Sequence, residues 1–195
     1  MLTEALQKKN LFYRLYLIDK ASADFYRQQP CPQCGGPLYF GNYFRKPRGE
    51  PEDTPEEYFL QFSLCCGITG CRRRLTPPSC RFLGRKVYWF PVLVSVVSDW
   101  QNGFFGNRFM GLVFETGISR HTLKRWVQYF KDTFPASSLW RKLRGQVPAC
   151  VSNTHLPSSL VNFYLTLKTN AAKALIASLT FLSGRSCSHS KIRAG

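Results

Sequence analysis

Residues 65–74 read CCGITGCRRR, and this stretch decides how the first half of the chain is interpreted. Two adjacent cysteines are followed by Cys71, with two glycines between them to make a bend, and three arginines come directly after it. About thirty residues earlier, residues 31–36 read CPQCGG, in which Cys31 and Cys34 share a predicted tight turn. Two such turns joined by strand-like sequence are typical of a zinc ion held by four thiolates.

The spacing favours one of the two adjacent cysteines as the fourth ligand. Cys66 leaves four residues before Cys71, whereas Cys65 leaves five, and the shorter spacing is nearer the usual range for zinc ligands. We therefore predict a site of Cys31, Cys34, Cys66 and Cys71, with Cys65 as the alternative to Cys66. Strand alternation then turns Cys65 to the opposite face, where we expect a buried thiol. Four thiolates leave no open position, so such a zinc ion is structural and not catalytic. The competing interpretation is that these are free core thiols.

The charge of the chain is unevenly distributed. The 195 residues carry a net charge of +16, yet residues 1–57 hold eight basic and eight acidic side chains. The remaining residues hold nineteen basic and three acidic ones. This asymmetry favours a polyanionic partner, nucleic acid first, over a role in solubility alone. The residues expected to line a phosphate backbone near the cysteines are Arg72, Arg73, Arg74, Arg81, Arg85 and Lys86.

The sequence shows no secretory or membrane-spanning pattern. The first residues lack the apolar core of a signal peptide, and the longest apolar run, residues 87–97, contains Pro91 and is too short to cross a bilayer. We therefore expect a cytoplasmic protein with no membrane partner. In a reducing compartment its eight cysteines are better interpreted as metal ligands or buried thiols than as disulfides.

Residues 109–130 read FMGLVFETGISRHTLKRWVQYF, which has the pattern of a helix-turn-helix motif. Gly117 can adopt the positive φ that the turn needs, and Ile118 fills the corner between two helices predicted at 108–116 and 119–134. Leu123 and Trp126 recur on the inner face of the second helix. The residues expected to meet DNA are Ser119, which also caps the helix, and the outward Arg120, His121, Lys124 and Arg125. The competing interpretation is an ordinary helical hairpin with a solvated basic face.

These patterns together predict an α+β protein, mostly α, in which a small four-cysteine zinc ribbon of short antiparallel strands is joined to a helix-turn-helix domain. The predicted organisation is an N-terminal helical segment at 1–29, a zinc ribbon at 30–86 with an acidic loop at 47–57, a helix-turn-helix domain at 87–134, C-terminal helices at 135–183 and a flexible tail at 184–195. A buried helix is expected at 87–100, and further helices near 157–167 and 171–182.

Three quoted stretches carry a resemblance to a known group of proteins. CPQCGGPLYF, CCGITGCRRRLTPPSCRFLGRKVY and LWRKLRG together resemble a family of uncharacterised bacterial proteins associated with transposable elements. The zinc ribbon followed by the Arg-rich TPPS connection is also similar to the N-terminal zinc ribbons of several insertion-sequence transposases. The resemblance covers roughly residues 30–185 and implies a mobile-element context more than a mechanism.

The carboxylates argue against catalysis. A transposase of the retroviral-integrase type needs a carboxylate cluster that holds two Mg²⁺ ions. Beyond residue 57 the only acids are Asp99, Glu115 and Asp132, and two of them lie in or beside the helix-turn-helix. We therefore expect that the protein is not an enzyme. We expect it to bind double-stranded DNA, to contain a structural zinc ion and to act as an accessory protein of a mobile element.

Two alternatives to this function remain open on the sequence. One is a protein–protein or RNA-binding adaptor in a mobile-element complex, in which Trp89, Trp100 and Trp140 are contact residues and not core residues. The other, which the sparse acids disfavour, is a catalytic transposase or nuclease.

Overall fold

The computed structural model describes residues 2–6, 9–49 and 54–184 and shows an α+β protein that is mostly helical. The helices are α1 (Leu2–Leu6), α2 (Lys9–Arg27), α3 (Phe90–Gln101), α4 (Asn107–Glu115), α5 (Arg120–Gln128), α6 (Ser138–Leu143), α7 (Ser158–Leu167) and α8 (Ala171–Leu182). The strands are β1 (Leu38–Phe40), β2 (Tyr43–Phe44), β3 (Leu60–Gln61), β4 (Leu64–Cys66) and β5 (Arg74–Leu75). Short 3₁₀ turns span Glu56–Phe59, Arg144–Gln146 and Asn153–His155. Residues 50–53 of the predicted acidic loop and 185–195 of the predicted tail lie outside the described residues.

The strands form two small antiparallel sheets between α2 and α3. In the three-stranded sheet, β4 lies between β1 and β5, and β2 pairs with β3 in the other sheet. The register aligns Tyr39 with Cys65 and Cys65 with Arg74, so these three side chains share one face. The other face buries Leu38, Leu64 and Cys66, which pack with Cys31 in a small core of their own.

A second, much larger core surrounds α3. Residues 90–99 of this helix are all buried. A mostly apolar helix that is buried on every side lies at the centre of a fold, and α1, α7 and α8 cover α3 accordingly. Side chains of the N-terminal, middle and C-terminal helical segments all contribute to this one core. Trp89 and Trp140 are core residues, whereas Trp100 is 37% exposed.

Two helix boundaries differ from the predicted ones for local reasons. The helix predicted to begin at residue 87 begins at Phe90, because Trp89 has extended backbone angles (φ −54°, ψ 135°) and Pro91 lies in the first turn, where proline costs nothing. The helix predicted at 119–134 is α-helical only to Gln128 and continues as a π-helical turn over Tyr129–Thr133. The helix predicted at 171–182 is observed with those bounds.

A buried ion pair joins α2 to the segment that leads into α3. The Arg81 guanidinium donates from Nε to Asp19 Oδ2 at 2.8 Å, and the side chains are 0% and 2% exposed. Arg81 also donates to the carbonyl oxygens of Tyr58 and Leu60. The prediction that Arg81 lines a phosphate backbone is wrong, because this side chain is fully enclosed in the protein.

The helices of the described residues include none that combines the length and the apolar character needed to cross a bilayer.

Candidate metal centre

Four sulfur atoms from two distant turns meet beside the three-stranded sheet. Cys31 and Cys71 have their Sγ atoms 3.9 Å apart, those of Cys34 and Cys66 are 3.4 Å apart, and all four lie within 4.8 Å of one another. A tetrahedral ion with metal–sulfur bonds of about 2.3 Å separates its sulfurs by about 3.8 Å. The cluster therefore has the size of a tetrahedral four-thiolate site, and its ligand atoms are close enough to hold a metal ion such as zinc.

The first turn is held in shape by its own backbone. The Gly35 N–H donates to the Cys31 carbonyl oxygen, and the Cys31 N–H donates to the Gly36 carbonyl oxygen, both at 2.8 Å. Gly35 has φ +73°, a conformation that costs a residue with a Cβ about 1–2 kcal/mol. Because Cys31 and Cys34 flank this turn, their sulfurs point to the same side.

The second turn follows directly from β4. The Ile68 N–H lies 3.5 Å from Cys66 Sγ, and the Ile68 carbonyl oxygen accepts from the N–H groups of Cys71 and Arg72. Arg72 has φ +46°, which is uncommon for a residue other than glycine. The chain thus reverses within five residues and returns Cys71 to the sulfur of Cys66.

Close packing joins the two turns. A Cβ at Gly36 would lie 2.4 Å from Ile68 Cγ1, and a Cβ at Gly67 would lie 2.4 Å from the ring of Tyr39. Real Cβ atoms do not approach so closely, so both glycines allow side chains from the opposite turn or strand to rest on the backbone. Direct packing of side chains against the backbone therefore joins the two turns, independently of a metal ion.

Cys65 lies outside the cluster, so the choice of Cys66 agrees with the structure. Its sulfur lies near the carbonyl oxygens of Cys66 and Arg72, at 3.7 and 3.8 Å. The expectation that Cys65 is buried is wrong, because its side chain is only partly covered. It shares the outer face of the sheet with Tyr39 and Arg74, and no second layer packs there in the described residues.

The four thiols differ in their pKa values. The backbone N–H of Gln33 is the main reason that the pKa of Cys31 falls to about 7. For the other three, a backbone N–H is the largest contribution and lowers the pKa, but burial and the neighbouring thiols outweigh it and leave the pKa raised. These three, with the residues that supply the N–H, are Cys34 with Gly36, Cys66 with Ile68 and Cys71 with Arg73. Thiolates this close repel one another, so full ionisation of the cluster needs a cation.

The remaining cysteines and acids form no comparable group. Across residues 2–6, 9–49 and 54–184, no other three Cys, His, Asp or Glu side chains approach closely enough to hold a metal. Cys80 is buried near Thr180 and Ser183, and Cys150 is exposed. The acids Asp99, Glu115 and Asp132 are therefore not assembled into a carboxylate cluster.

The basic side chains beside the second turn have different surroundings. Arg72, Arg73 and Arg74 are exposed directly after Cys71, and Arg85 is exposed farther along the chain. Lys86 is half-buried, with its Nζ 4.7 Å from the centre of the Tyr129 ring. Of the six basic residues predicted to contact phosphates, five are thus at least partly accessible, and Arg81 is not.

The α4–α5 hairpin has the local features expected from its sequence. Gly117 has φ +63° at the turn, Ile118 is buried, and the Ser119 hydroxyl accepts from the Thr122 N–H at 3.1 Å. Leu123 and Trp126 are buried on one side of α5. The opposite side presents Arg120, His121, Lys124 and Arg125, all of them exposed.

Tyr39 is not among the residues predicted from the sequence to form a site. Its ring is 60% exposed beside the second turn. The available signal was the alternation in β1, where Leu38 is buried and its neighbour must face outward.

Comparisons with protein-family models, with curated proteins and with solved structures find no match to this chain. The resemblance to transposon-associated proteins therefore rests on the quoted motifs alone and stays a hypothesis.

Proposed function

We propose that the protein binds double-stranded DNA through helix α5 and uses the four-cysteine cluster to hold a structural zinc ion. The observation that carries the proposal is the division of α5 into two sides. Buried Leu123 and Trp126 anchor one side in the core, and four exposed side chains able to carry positive charge occupy the other. The helix contains no acidic residue.

The chemistry of the donor set supports zinc as the ion. Four thiolates are soft ligands, and tetrahedral sulfur sites hold zinc or iron–sulfur centres. Sulfur separations of 3.4 and 3.9 Å fit a single ion. When bound, zinc supplies a crosslink between the two turns and, with all four positions filled, no catalytic chemistry.

The geometry of α5 supports DNA as its partner. It is the second helix of a helix-turn-helix pattern, and in that motif the second helix enters the major groove. Arginine and lysine side chains there contact phosphates or guanine edges. Arg72, Arg73 and Arg74 supply further positive charge beyond the cysteine cluster, which raises the affinity for a polyanion at any sequence.

The proposed role is non-catalytic. No carboxylate cluster is present among the described residues, and the motif resemblance supports an accessory function in a mobile element. One observation favours an adaptor as the second candidate. Large apolar side chains are exposed near the end of α3 and along α4, namely Trp100, Phe104, Phe105, Met110 and Phe114, and a partner protein could cover them.

Metal analysis of matched cysteine variants tests the zinc part. We expect wild-type protein and Cys65→Ser to contain one zinc ion per chain, because Cys65 contributes no ligand. Cys66→Ser should lose most of the zinc, since it leaves three thiolates. Equal zinc content in the two variants, or an absence of zinc from the wild type, would contradict the proposed site.

A salt titration of duplex binding tests the DNA part. Arg120→Ala with Arg125→Ala should weaken binding to a duplex oligonucleotide and reduce the salt slope by about 1.8, since each lost phosphate contact contributes about 0.9. The control is Lys168→Ala with Lys173→Ala, which removes the same charge from an exposed region near α8. Equal effects of the two double variants would show that α5 has no special role.

A further inference from the structure

We propose that the outer face of the three-stranded sheet binds unpaired nucleotides, with Tyr39 as the stacking platform and Arg74 as its cationic neighbour. This inference rests on the proposed function only in taking nucleic acid as the partner. It assigns a different ligand, a single strand, to a second surface of the protein. Binding at this surface does not require α5.

The register of the sheet places the two residues on the same face. Tyr39 pairs with Cys65, and Cys65 pairs with Arg74, so the three form one row across β1, β4 and β5. The guanidinium of Arg74 reaches back over the sheet, because its Nη2 lies 4.0 Å from the position that a Cβ of Gly41 would occupy. The ring of Tyr39 lies toward Gly67 and the guanidinium of Arg74 lies toward Gly41, so the two groups occupy different parts of one open face, on either side of Cys65.

The ring of Tyr39 is held in place and yet accessible. It rests against the backbone of Gly67, where no Cβ would fit, and is nevertheless 60% exposed. When a base stacks on such a ring, the protein loses little conformational entropy, because the ring is already ordered. Aromatic platforms of this kind bind bases of any sequence, since every base has a π-face.

An open groove continues from this ring toward the end of α2. Its volume is about 570 Å³, and its lining includes Arg27, Gln28, Gln29 and Tyr39. Pockets for small ligands typically measure about 300–1,000 Å³, and the groove lies within that range. The two glutamines offer amide groups to base edges, and Arg27 offers a charge to a phosphate.

Charge complementarity decides the occupant. Arg72 and Arg73 precede Arg74 on the same edge, and all three are exposed. A polyanion neutralises these charges, whereas a second copy of this basic chain would bring more positive charge to them. A base paired within a duplex hides its faces in the stack, so the ring of Tyr39 selects an unpaired base.

Binding of labelled single strands to the full-length, zinc-loaded protein tests the proposal. The probes are fifteen-residue oligo-dT and oligo-rU and a duplex of mixed sequence. Tyr39→Leu should weaken single-strand binding about tenfold, within the range for loss of one stacked base, and Tyr39→Phe should bind like the wild type. Equal loss for oligo-dT and oligo-rU indicates recognition of features that the two strands share, whereas loss for one of them shows that the site responds to the 2′-hydroxyl or to the thymine methyl group.

The salt dependence separates stacking from charge. Tyr39→Leu should leave the salt slope unchanged, because a neutral contact releases no counterion. Arg74→Ala should lower the slope by about 0.7, the value for one phosphate contact on a single strand. The matched control is Tyr13→Leu, an exposed tyrosine that lies about 21 Å from Arg27 along α2 at about 1.5 Å per residue. This variant should bind both single strands like the wild type.

The outcomes distinguish this proposal from the proposed function. Duplex binding that depends on α5, without any effect of Tyr39→Leu on single strands, overturns the platform and leaves the proposed function intact. If Tyr39→Leu weakens single-strand binding and the wild-type protein does not bind the duplex, the platform is supported and the proposed duplex binding is overturned. A third outcome is that the wild-type protein sediments as a dimer and Tyr39→Leu as a monomer, with unchanged nucleic-acid binding. That result shows that a second copy covers this face, and it also overturns the platform.

Discussion

Arg81 is the side chain that joins helix α2 to the β-rich region of the molecule. It touches α2 through Asp19 and the β-rich region through the carbonyl oxygens of Tyr58 and Leu60. Three aromatic rings lie within 5.2 Å of its guanidinium carbon, those of Tyr16, Phe62 and Phe82. Buried charges persist only where such partners replace water, so this network is satisfied as a unit.

Removal of one partner should therefore be costly. We expect Arg81→Ala to lower the free energy of unfolding by about 3–5 kcal/mol, because it leaves a buried carboxylate without its guanidinium. Arg85→Ala, at an exposed arginine four residues away, should change it by no more than about 0.5 kcal/mol. Urea denaturation followed by tryptophan fluorescence measures both. Replacement of the whole pair, as Arg81→Met with Asp19→Leu, should recover only part of the loss, because the buried Cys80 N–H then loses its acceptor on Asp19. A loss below about 1 kcal/mol for Arg81→Ala would show that the pair is dispensable.

At the scale of single elements, the α4–α5 turn depends on the conformation of one glycine. Gly117 has φ +63°, and a Cβ there would meet no atom within 4 Å. A side chain at position 117 is therefore unfavourable because of backbone strain and not because its Cβ would collide with other atoms. Ser119 then caps α5, and Tyr88 meets Trp126 edge to face at 4.8 Å, which orients the helix against the core.

The strain at this turn can be measured by comparing two glycines. Gly117→Ala should destabilise the protein by about 1–2 kcal/mol, the cost of a left-handed conformation for a residue with a Cβ. Gly145→Ala is the control, since Gly145 has no positive φ, lies in a 3₁₀ turn and also has open space around it. It should leave stability unchanged or raise it by about 0.5 kcal/mol. Thermal unfolding compares the two. Similar effects would mean that the turn conformation is not the source of the cost.

For the whole molecule, the decisive feature is the inequality of its two cores. The helices share a large apolar core, whereas the sheet region buries only a small group of side chains that includes two of the cysteines. Short two- and three-stranded sheets with so little buried surface are marginal without a covalent or metal crosslink. A metal ion held by the four cysteines, as proposed, would compensate for the small core of the sheet.

Metal removal should accordingly unfold one region and spare the other. After chelation, hydrogen exchange should accelerate at the N–H groups of Gly41, Cys66 and Gly67, which bond across the strands and turns. The amides of α3 and α8 should stay protected, because their burial does not involve the cysteines. Re-addition of Zn²⁺ should restore the slow exchange. Simultaneous loss of protection in the helices would show that the metal supports the entire fold.

Short-range patterns predicted much of the fold and of the metal cluster. The bounds of α8, the proline in the first turn of α3 and the turn at Gly117 follow from backbone preferences and apolar spacing within a few residues. The cysteine cluster was predictable for a related reason. Two tight turns with glycines can bring their sulfurs to one point, and the shorter spacing to Cys71 identified Cys66.

Exposure at the level of single side chains was less predictable. An arginine within a basic segment looks solvent-exposed, and nothing near Arg81 in the sequence indicates that Asp19, sixty-two residues away, is its partner. Cys65 was expected to be buried, yet its face of the sheet has no covering layer in the described residues. Both outcomes depend on which distant element packs against a residue, and local sequence does not encode that.

By itself, the sequence determined the helical segments, the turn chemistry and the identity of the four clustered cysteines, because these depend on neighbours along the chain. Only the tertiary structure decided that Arg81 is a buried structural residue and that Tyr39 and Arg74 share an open face. The physical reason is that strand register and burial arise from contacts between residues far apart in the chain, here from β1 to β5 and from α2 to residue 81.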